Sequence, residues 1–497
     1  MFYLSTRNEK IRKTPSEAIL NGIADDGGLY MPENFDDARF PMEKLLKMTN
    51  KEISAAVLSL LFSGDALFGN GKDKFADFCS VVSKAYDGKF ENDDFAPLST
   101  VGGAYVMELY HGPTCAFKDI ALQLLPQLIS GAKKALGVDD EIVILTATSG
   151  DTGSAALSGF SDVDGTKIIV FYPKHGISAV QEKQMVTCNG KNTCVCAVCG
   201  NFDDAQSGVK NIFANIKLPK GVRLSSANSI NIGRLAPQVA YYFKAYRDLV
   251  LKGEMSMGEK VNFVVPTGNF GDILAGYFAK KMGLPVAKLV CASNENKVLT
   301  DFFENGVYNK NRSFHITKSP SMDILISSNL ERLLYLVCGA KKCAYYMAQL
   351  SKDGEYRLEK EEFEKICEYF DAGYTNDDET SETIRKVYEK YGYLMDTHTA
   401  VAWNVYEKWN GIEKKKYKTI VLSTASAYKF SSSVMDSLGQ KYNDEFDAIE
   451  KLNLYTGKAI PHALEGIKDK KPIHDNTVEK DKMLDFVSDM ISKKIWR

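Results

Sequence analysis

Three features are missing from this 497-residue sequence, and each absence narrows the function. Lysine and arginine total 62 against 64 aspartates and glutamates, so the net charge of −2 does not indicate nucleic-acid binding. No apolar run approaches the roughly 20 residues needed to span a bilayer, so no membrane partner is expected. The first ten residues lack the apolar core of a signal peptide. Together these absences predict a cytoplasmic protein.

The sequence also lacks the paired Cys-x-x-Cys knuckles of a zinc site. Of its ten cysteines, four lie close together, but only two have that spacing; the four are Cys188, Cys194, Cys196 and Cys199. Residues 193–199 form a run of small apolar residues, as expected of a strand buried on both faces. We therefore predict a core strand and no metal. Without a secretory signal, disulfides are not expected either.

Two segmentation signals organise the chain. Residues 1–95 are predicted to form an N-terminal domain, with the acidic segment 91–94 as its boundary. From residue 96, strands alternate with helices, which is the pattern of a doubly wound α/β sheet. We predict a large domain from 96–135 and 210–465, a small substrate-side subdomain from 136–209, and a C-terminal linker and helix from 466–497. No internal repeat or low-complexity tract is found.

One lysine stands out because of its neighbours. Lys118 follows the turn at residues 111–114, for which Thr114 is the expected helix N-cap, and it lies among Cys115, Phe117 and Ile120. Apolar surroundings make the neutral, nucleophilic amine easier to reach. Such an amine can form a Schiff base with a carbonyl cofactor. On this segment alone, a surface lysine on an amphipathic helix explains the pattern equally well.

Several predicted strands end in segments rich in small polar residues. The strand at 141–147 leads into Thr148-Ser149-Gly150-Asp151-Thr152-Gly153, and the strand at 261–265 leads into Pro266-Thr267-Gly268-Asn269-Phe270-Gly271-Asp272. Ligands of such folds bind at the carboxyl ends of strands, where loop amides and helix N-termini favour anions. The alternative for the first loop is a plain strand-to-helix turn. His398, by contrast, is interpreted as a capping or packing residue.

A third polar segment, residues 225–234, ends in a single arginine. The guanidinium of Arg234 matches phosphate or carboxylate geometry, and Ser229 and Asn231 could complete an anion site. The alternative is a helix-capping cluster with Arg234 on the surface.

A resemblance connects these segments. His111-Gly112-Pro113-Thr114-x-Ala116-Phe117-Lys118-Asp119 resembles the pyridoxal-phosphate (PLP) lysine segment of the threonine synthases, in the branch of fungi and many bacteria. Residues 268–272 resemble that family's phosphate loop. Five motifs between Asp26 and Phe430 keep the family's order. The resemblance implies a PLP fold of type II, the tryptophan-synthase-β-like α/β fold with doubly wound sheets in two domains plus an N-terminal domain.

The resemblance also implies roles for individual residues. Lys118 would carry PLP, Asp151 would lie near its 3′-oxygen, and Thr424 would face its pyridine nitrogen. The cofactor's phosphate would lie in the loop of Thr267, Gly268, Asn269, Phe270, Gly271 and Asp272. The substrate would be held through its carboxylate by Thr148, Ser149, Gly150 and Thr152, through its phosphate by Ser229, Asn231 and Arg234, and by His111 and Thr114.

The implied activity is that of a PLP-dependent lyase of threonine biosynthesis. It converts O-phospho-L-homoserine and water to L-threonine and phosphate, with a monomer or homodimer as the expected assembly. One departure concerns Ser426-Ala427-Tyr428, where the family commonly has His-Pro-Ala. Two alternatives are a serine or threonine dehydratase of the same fold and a PLP-binding homologue without catalysis. The dehydratase has no need of the second anion site at residues 229–234.

Overall fold

The N-terminal part of the chain forms a small antiparallel sheet flanked by helices. The computed structural model describes residues 1–67, 74–493 and 496. The elements of this part are β1 (Tyr3–Ser5), β2 (Arg12–Lys13), α1 (Pro15–Asn21), β3 (Tyr30–Pro32), α2 (Asn50–Leu61) and α3 (Lys74–Tyr86). The strand order is β2-β1-β3. Helices α1 and α2 each begin with a threonine and a glutamate that exchange hydrogen bonds in a capping box, which explains where they start.

The larger of two open sheets contains six strands. From edge to edge they are β14 (Phe370–Tyr374), β11 (Val286–Ser293), β10 (Val261–Pro266), β15 (Lys418–Ser423), β5 (Ala104–Glu108) and β4 (Leu98–Val101). All neighbours are parallel except β4 and β5, which are antiparallel. The inner strands β10 and β15 are buried almost throughout, as expected of parallel strands covered by helices on both faces.

The smaller sheet contains five parallel strands. In spatial order they are β16 (Asn476–Glu479), β8 (Thr193–Cys199), β7 (Thr166–Pro173), β6 (Glu141–Ala147) and β9 (Val222–Ser226). Both of its edge strands come from outside residues 136–209. A separate pair, β12 (Val307–Asn309) and β13 (Glu355–Arg357), forms a two-stranded antiparallel ribbon. The predicted domain boundaries stay a prediction.

The remaining helices cover and connect the two sheets. They are α4 (Lys118–Leu136), α5 (Asp151–Phe160), α6 (Ala179–Val186), α7 (Phe202–Asn215), α8 (Ile232–Leu235), α9 (Val239–Leu251), α10 (Gly271–Lys281), α11 (Val298–Asn305), α12 (Leu330–Lys352), α13 (Lys360–Cys367), α14 (Asp377–Tyr391), α15 (Thr397–Lys408), α16 (Ile412–Lys416), α17 (Ser431–Ser437), α18 (Glu445–Thr456) and α19 (Met483–Lys493). Among the described residues, no helix combines the length and apolar content needed to cross a bilayer.

The structure confirms the α/β class and corrects one local prediction. Thr114 is not the N-cap of α4: the helix begins at Lys118, its N-cap is Phe117, and no side chain caps it. The reason lies in the preceding turn, where Cys115 has a positive φ of 59° and delays the helix. The Thr114 hydroxyl instead donates to Asp119 Oδ1 at 2.6 Å. The helix was predicted, but Thr114 was wrong as its N-cap.

The carboxyl ends of several strands meet at one place. Strands β5, β10 and β15 are parallel neighbours, so they end at the same edge of the larger sheet. Strand β6 of the smaller sheet ends at the start of α5, whose first residue, Asp151, contacts Lys118 at the start of α4. The lysine segment is therefore brought together between the two sheets with the three polar segments predicted at strand ends, which are residues 148–153, 225–234 and 266–272. This is where ligands bind in open α/β folds.

Helices α4 and α5 can approach closely because Gly159 of α5 has no side chain where it contacts α4. A Cβ added to Gly159 would lie 1.9 Å from the backbone carbonyl oxygen of Leu122, a contact that no side-chain rotation can relieve. This packing sets the spacing of the helices that carry Lys118 and Asp151.

We expect Gly159→Ala to destabilise the protein by about 3 kcal/mol, because the backbone of α4 must shift to admit a methyl group. Chemical denaturation measures the change. Gly466→Ala is the matched control: nothing lies within 4 Å of its added Cβ, although its φ is +60°. The control should lose only about 1 kcal/mol, from the left-handed backbone alone. Equal losses for the two variants would contradict the close approach of the helices.

Candidate active site

The lysine segment is held against the segment that follows β15. The Phe117 amide donates to the Thr424 carbonyl at 2.8 Å, and the Ser426 amide donates to the Cys115 carbonyl at 3.1 Å. Ala116 and Ala425 form an antiparallel bridge between these bonds. Lys118 and Thr424, about 300 residues apart in sequence, are thus fixed relative to each other through the backbone.

The amine of Lys118 lies in a buried cluster of charges. It contacts Asp151 Oδ2 at 3.1 Å and the Ser321 hydroxyl at 3.4 Å. The other carboxylate oxygen of Asp151 contacts the ammonium of Lys429 at 2.9 Å and accepts a hydrogen bond from Gln181 Nε2 at 2.9 Å. Ser321 also donates to Asp151 Oδ2 at 3.0 Å. One carboxylate therefore lies between two lysines.

Burial and charge tune this cluster. Burial is the main cause that lowers the pKa of Lys118; Asp151 opposes the shift, and the cations of Lys429 and Arg234 add to it. Burial alone would raise the pKa of Asp151, but Lys118 and Lys429 hold it well below its usual range. The result is an ionised carboxylate beside an amine that gives up its proton more readily than an ordinary lysine.

The loop after β6 has a buried side and an accessible side. Thr148 is buried, and its hydroxyl accepts hydrogen bonds from the amides of Gly150 and Gly153, both at 2.9 Å. Gly150 has φ 122°, and a Cβ there would lie 2.4 Å from the Gln181 side chain. Ser149 and Thr152 are half-buried. The predicted carboxylate contacts of this loop stay predictions; the structure gives Thr148 a role in shaping the turn.

The loop after β10 has the shape of an anion cradle. Phe270 is in the left-handed conformation, with φ 62°, and α10 begins at Gly271. A Cβ on Gly268 would lie 2.8 Å from the Ser321 carbonyl oxygen. Asn329 holds the loop because its backbone amide and its side-chain Nδ2 both donate to the Asn269 carbonyl. Small residues and the exposed amides of a helix N-terminus are what a phosphate requires.

Asp272 lies in the first turn of α10 and faces the core. Its Oδ1 accepts hydrogen bonds from the hydroxyls of Tyr241 at 2.5 Å and Tyr242 at 2.9 Å. Burial raises the pKa of Asp272 to about 6. Thr267, at the end of β10, is also buried and donates to the Val265 carbonyl at 2.7 Å. Hydrogen bonds of these two side chains to protein partners therefore fix the two ends of the cradle.

Arg234 is a buried cation with a free hydrogen-bond donor. It is 4% exposed, and its Nη1 donates to the Ala227 carbonyl at 2.8 Å. Its Nε finds no partner among the described residues, and no carboxylate pairs with it there. Burial lowers the pKa of Arg234 to about 10. An uncompensated buried guanidinium close enough to influence Lys118 points to an anionic ligand.

The two other predicted members of this anion site are placed differently. Asn231 is fully buried: its Nδ2 donates to the Ile19 and Ser226 carbonyls, and its Oδ1 accepts from the Gly233 amide. Ser229 lies beside the cradle, because a Cβ on Gly271 would lie 3.3 Å from the Ser229 Cβ. The structure thus brings Ser229 to the cofactor-side loop and commits the Asn231 amide to shaping the segment. Their predicted substrate contacts stay predictions.

Thr424 lies at the carboxyl end of β15 and is 6% exposed. The neighbouring departure from the family pattern, Ser426-Ala427-Tyr428, lies in the turn that follows Thr424. Ser426 caps the following turn, with its hydroxyl accepting from the Tyr428 amide at 3.3 Å. The turn delivers Lys429 to Asp151. Ser426 therefore shapes the backbone between Thr424 and Lys429.

His111 and Thr114 lie on the turn before Lys118, where protein partners engage both. His111 lies between two carboxylates, with Nδ1 2.8 Å from Glu91 Oε2 and Nε2 2.9 Å from Glu108 Oε2. Burial alone would lower the pKa of His111, but Glu108 and Glu91 outweigh it and raise the pKa to about 9. The Thr114 carbonyl accepts from Lys429 Nζ at 2.8 Å. Substrate contacts of either residue stay predictions.

The raised pKa of His111 predicts a pH-dependent stability. A pKa that rises on folding stabilises the folded state fully below the unfolded value near 6.5, and this stability is lost as pH rises through about 9. At pH 6 the parent should have a higher free energy of unfolding than His111→Gln. We expect this difference to shrink by about 1–3 kcal/mol between pH 6 and pH 10. Urea titrations of both proteins at each pH measure it. A constant difference across that range would show that His111 is not held by its two carboxylates.

Three site residues were not found from the sequence, and a fourth, His398, was interpreted there as a capping or packing residue. Ser321, Gln181 and Lys429 contact Asp151, and the Ser321 amide donates to Nε2 of His398 at 3.2 Å. His398 Nδ1 lies 2.9 Å from Asp396 Oδ1, so this histidine positions the Ser321 turn. Lys429 lies in the segment 424–430 that follows β15, five residues after Thr424. This spacing is the sequence feature from which Lys429 could have been found. Ser321 and Gln181 carry no comparable local pattern.

The four clustered cysteines do not converge on a metal site. Cys194 and Cys196 lie within β8, where burial raises the pKa of Cys194 to about 12 and also raises that of Cys196. A raised thiol pKa disfavours the thiolate that a metal needs. Within the described residues, no group of three or more histidine, cysteine or acidic side chains is placed to hold a metal ion. The β8 strand itself was predicted correctly.

The residues present fit PLP. The site offers a buried lysine with a lowered pKa, a glycine cradle at a helix N-terminus for a phosphate, and a hydroxyl at the end of β15. Arg234 Nε, which has no partner among the described residues, is available to a further anionic group. These are the donors that a phosphorylated pyridine aldehyde and an anionic amino-acid substrate require.

Comparison with known proteins agrees with this geometry. Residues 96–424 match the family described as "Pyridoxal-phosphate dependent enzyme". Residues 2–86 match "Threonine synthase N terminus", and residues 399–485 match "Threonine synthase, C-terminal". These matches cover the segments that carry Lys118, the cradle and Thr424, and they extend into both ends of the chain.

Individual relatives lead to the same family. A threonine synthase of Pseudomonas aeruginosa is 39% identical over 437 residues, which cover 87% of this chain and 90% of that protein. A threonine synthase-like 1 of Macaca fascicularis is 36% identical over 94% of this chain, which spans 62% of that relative's length. A crystal structure of PLP-bound threonine synthase from Brucella melitensis superposes with a TM-score of 0.85 at 36% identity, covering 99% of this chain and 98% of that one. The chain therefore belongs to the threonine synthase family of pyridoxal-phosphate dependent enzymes.

Proposed function

We propose that the protein converts O-phospho-L-homoserine and water to L-threonine and phosphate. The observation that carries this proposal is the buried Arg234 guanidinium, whose Nε has no partner among the described residues. The cradle at residues 268–272 accounts for one phosphate, that of the cofactor. The buried Arg234 guanidinium near Lys118 supports a second anionic group, which a phosphorylated substrate has and a serine or threonine dehydratase substrate lacks.

Each proposed role follows from what the side chain touches. Lys118, buried against Asp151 with a lowered pKa, removes and returns protons at the substrate's carbon atoms. Ser149 and Thr152, half-buried at the start of α5, receive the substrate carboxylate together with the loop amides. Arg234 orients the substrate phosphate through its planar fork. The closed surroundings of Lys118 keep bulk water from its proton.

Bound PLP supplies an electron sink for the carbon from which a proton is removed. Thr424 would hold its pyridine nitrogen with a neutral hydroxyl, and the backbone bond from Phe117 to Thr424 fixes that hydroxyl relative to Lys118. Asp151 would lie near its 3′-oxygen. Thr267, Gly268, Asn269, Phe270 and Gly271 would surround its phosphate, with Asp272 at the start of α10.

The cellular setting belongs to the same proposal. A cytoplasmic enzyme is supported by the buried cysteines of the sheets, such as Cys194, Cys196 and Cys291, which are thiols, because cysteines stay reduced in that compartment. The substrate is a small molecule, and a monomer or homodimer is the proposed assembly. The proposed division into an N-terminal domain, a large PLP domain and a smaller substrate-side part is supported by the two separate sheets.

The deciding experiment incubates PLP-reconstituted protein with O-phospho-L-homoserine and follows phosphate and threonine together. We expect the two products in equal amounts. Parallel incubations with L-serine and L-threonine, followed for ammonia and oxo acid, test the dehydratase alternative. Oxo acid from those substrates, with no phosphate released from phosphohomoserine, would overturn the proposal. PLP uptake without turnover of any of the three would favour a binding protein.

A further inference from the structure

Lys429 lies outside the machinery proposed so far, yet it is one of the most deeply buried cations near Lys118. Its residue is 1% exposed, and its ammonium has two protein acceptors: Asp151 Oδ1 at 2.9 Å and the Thr114 carbonyl at 2.8 Å. Both contacts are short, and both acceptors are themselves buried. The two contacts hold the Lys429 ammonium against the Asp151 carboxylate on the side opposite Lys118.

Lys118 is held much more loosely. Its ammonium shares Asp151 with Lys429 through the opposite oxygen, at 3.1 Å, and its only other polar contact within the described residues is Ser321 Oγ at 3.4 Å. Two ammonium groups and one carboxylate leave one positive charge without a counterion in a buried site. Because Lys429 has the better acceptors, the surplus charge is removed when Lys118 loses its proton.

We propose that Lys429 is a positioning residue whose ammonium neutralises Asp151, so that Lys118 can release and regain its proton without leaving a buried carboxylate unpaired. When Lys118 is neutral, Asp151 and Lys429 remain as a neutral ion pair. When Lys118 is protonated, it adds a charge that the site does not otherwise balance. This inference rests on the proposed role of Lys118 as the proton-transfer group.

Other titratable groups face this cluster and are the same in every variant compared below. They act on Lys118, Asp151 or Lys429 from the helices and turns packed around them, and they are Arg234, Asp272, His398, Asp119 and the Cys115 thiol. Among the described residues, only Lys429 and Lys118 contact the Asp151 carboxylate as cations. Replacing Lys429 therefore changes the one charge that competes with Lys118 for that carboxylate.

The test uses the PLP-free protein and no substrate, so its outcome is independent of the catalysed reaction. Lys118 is acylated with a trace of acetic anhydride across a pH series, and its modification is quantified by peptide mapping. In Lys429→Met the apparent pKa of Lys118 should rise by about one unit or more, making labelling roughly 10-fold slower at a pH below both values. The rate of PLP uptake by the PLP-free protein should shift to higher pH in parallel.

Two further variants separate charge from packing. Gln181→Met removes a neutral donor from the same Asp151 oxygen and should displace the Lys118 profile far less. Lys429→Arg keeps the charge and should keep the parent profile. If Lys429→Met does not fold, Lys429→Gln replaces it, because glutamine retains polar contacts without the charge. The same rise in the apparent pKa of Lys118 is expected for it. An unchanged or lowered Lys118 profile in the uncharged variants, or an equal displacement in Gln181→Met, would overturn the proposal. A failed turnover assay with the expected labelling would overturn only the proposed function.

Discussion

Replacing Lys118 with alanine should lower turnover of O-phospho-L-homoserine on the order of 10⁴-fold, the range associated with losing a positioned acid–base group. The amine is the proton carrier of the site, and its neighbours cannot replace it. Asp151 is held as an anion, and Lys429 is tied to Asp151 and the Thr114 carbonyl. The fold should survive, because Asp151 keeps Lys429 as its counterion. The measurement is kcat by phosphate release, with circular dichroism as the check on folding.

The control for Lys118 is Lys134, an exposed lysine on the same helix. Lys134→Ala should retain the parent activity. Lys118→Arg should not restore turnover, because the guanidinium does not deprotonate and cannot act as a nucleophile. Borohydride reduction of the PLP-loaded parent should place the pyridoxyl group on Lys118. A label on another lysine, or more than about 1% of parent activity in the alanine variant, would refute the assignment.

The second large effect concerns the anion site. Arg234→Ala should leave PLP content nearly unchanged, since the cradle at 268–272 holds its phosphate with backbone amides and a helix end. It should lower kcat/KM for O-phospho-L-homoserine by a factor that corresponds to about 2–4 kcal/mol of transition-state stabilisation. This is the loss associated with removing a buried charged hydrogen-bonding partner. Arg234→Lys should recover little, because a point charge does not reproduce the bidentate fork. PLP occupancy and kcat/KM are measured on the same preparations.

Arg223 provides the matched control for Arg234. It lies on β9 ahead of the same segment, is largely exposed, and pairs with Asp140. Arg223→Ala should leave kcat/KM unchanged. A specific outcome would reverse the assignment: if Arg234→Ala loses its cofactor but turns over normally with excess PLP, Arg234 belongs to the cofactor's phosphate. The position of Ser229 beside Gly271 makes this comparison necessary.

The parts of the site that could be predicted are those written in one stretch of sequence. Lys118 follows a glycine-proline turn, and the cradle lies between an apolar strand and a helix, so local composition and spacing suffice to find both. The strands at 141–147 and 193–199 were likewise predicted to the residue from continuous apolar runs. What decides these features is short-range, which is why the sequence carries them.

The rest depends on contacts between distant segments. Ser321 reaches Lys118 across 203 positions, from a turn with no periodicity of its own. Strand β16 joins the smaller sheet as an edge strand, and its alternately exposed, polar residues give no apolar run. The Thr114 error has the same origin, because pairing of residues 115–117 with 424–426 fixes the helix start. Such tertiary contacts override local propensity.

The place of β15 in the larger sheet has a consequence for synthesis on the ribosome. This strand lies between β5 and β10, yet it is the last strand of that sheet to be made. Until residue 423 has left the exit tunnel, β5 and β10 each present an unpaired edge, which invites mispairing with other chains. The backbone contact that seats the lysine segment must also wait for residue 424. A nascent chain cannot bind its cofactor early, and a truncation just before β15 should leave an aggregation-prone fragment rather than a smaller enzyme.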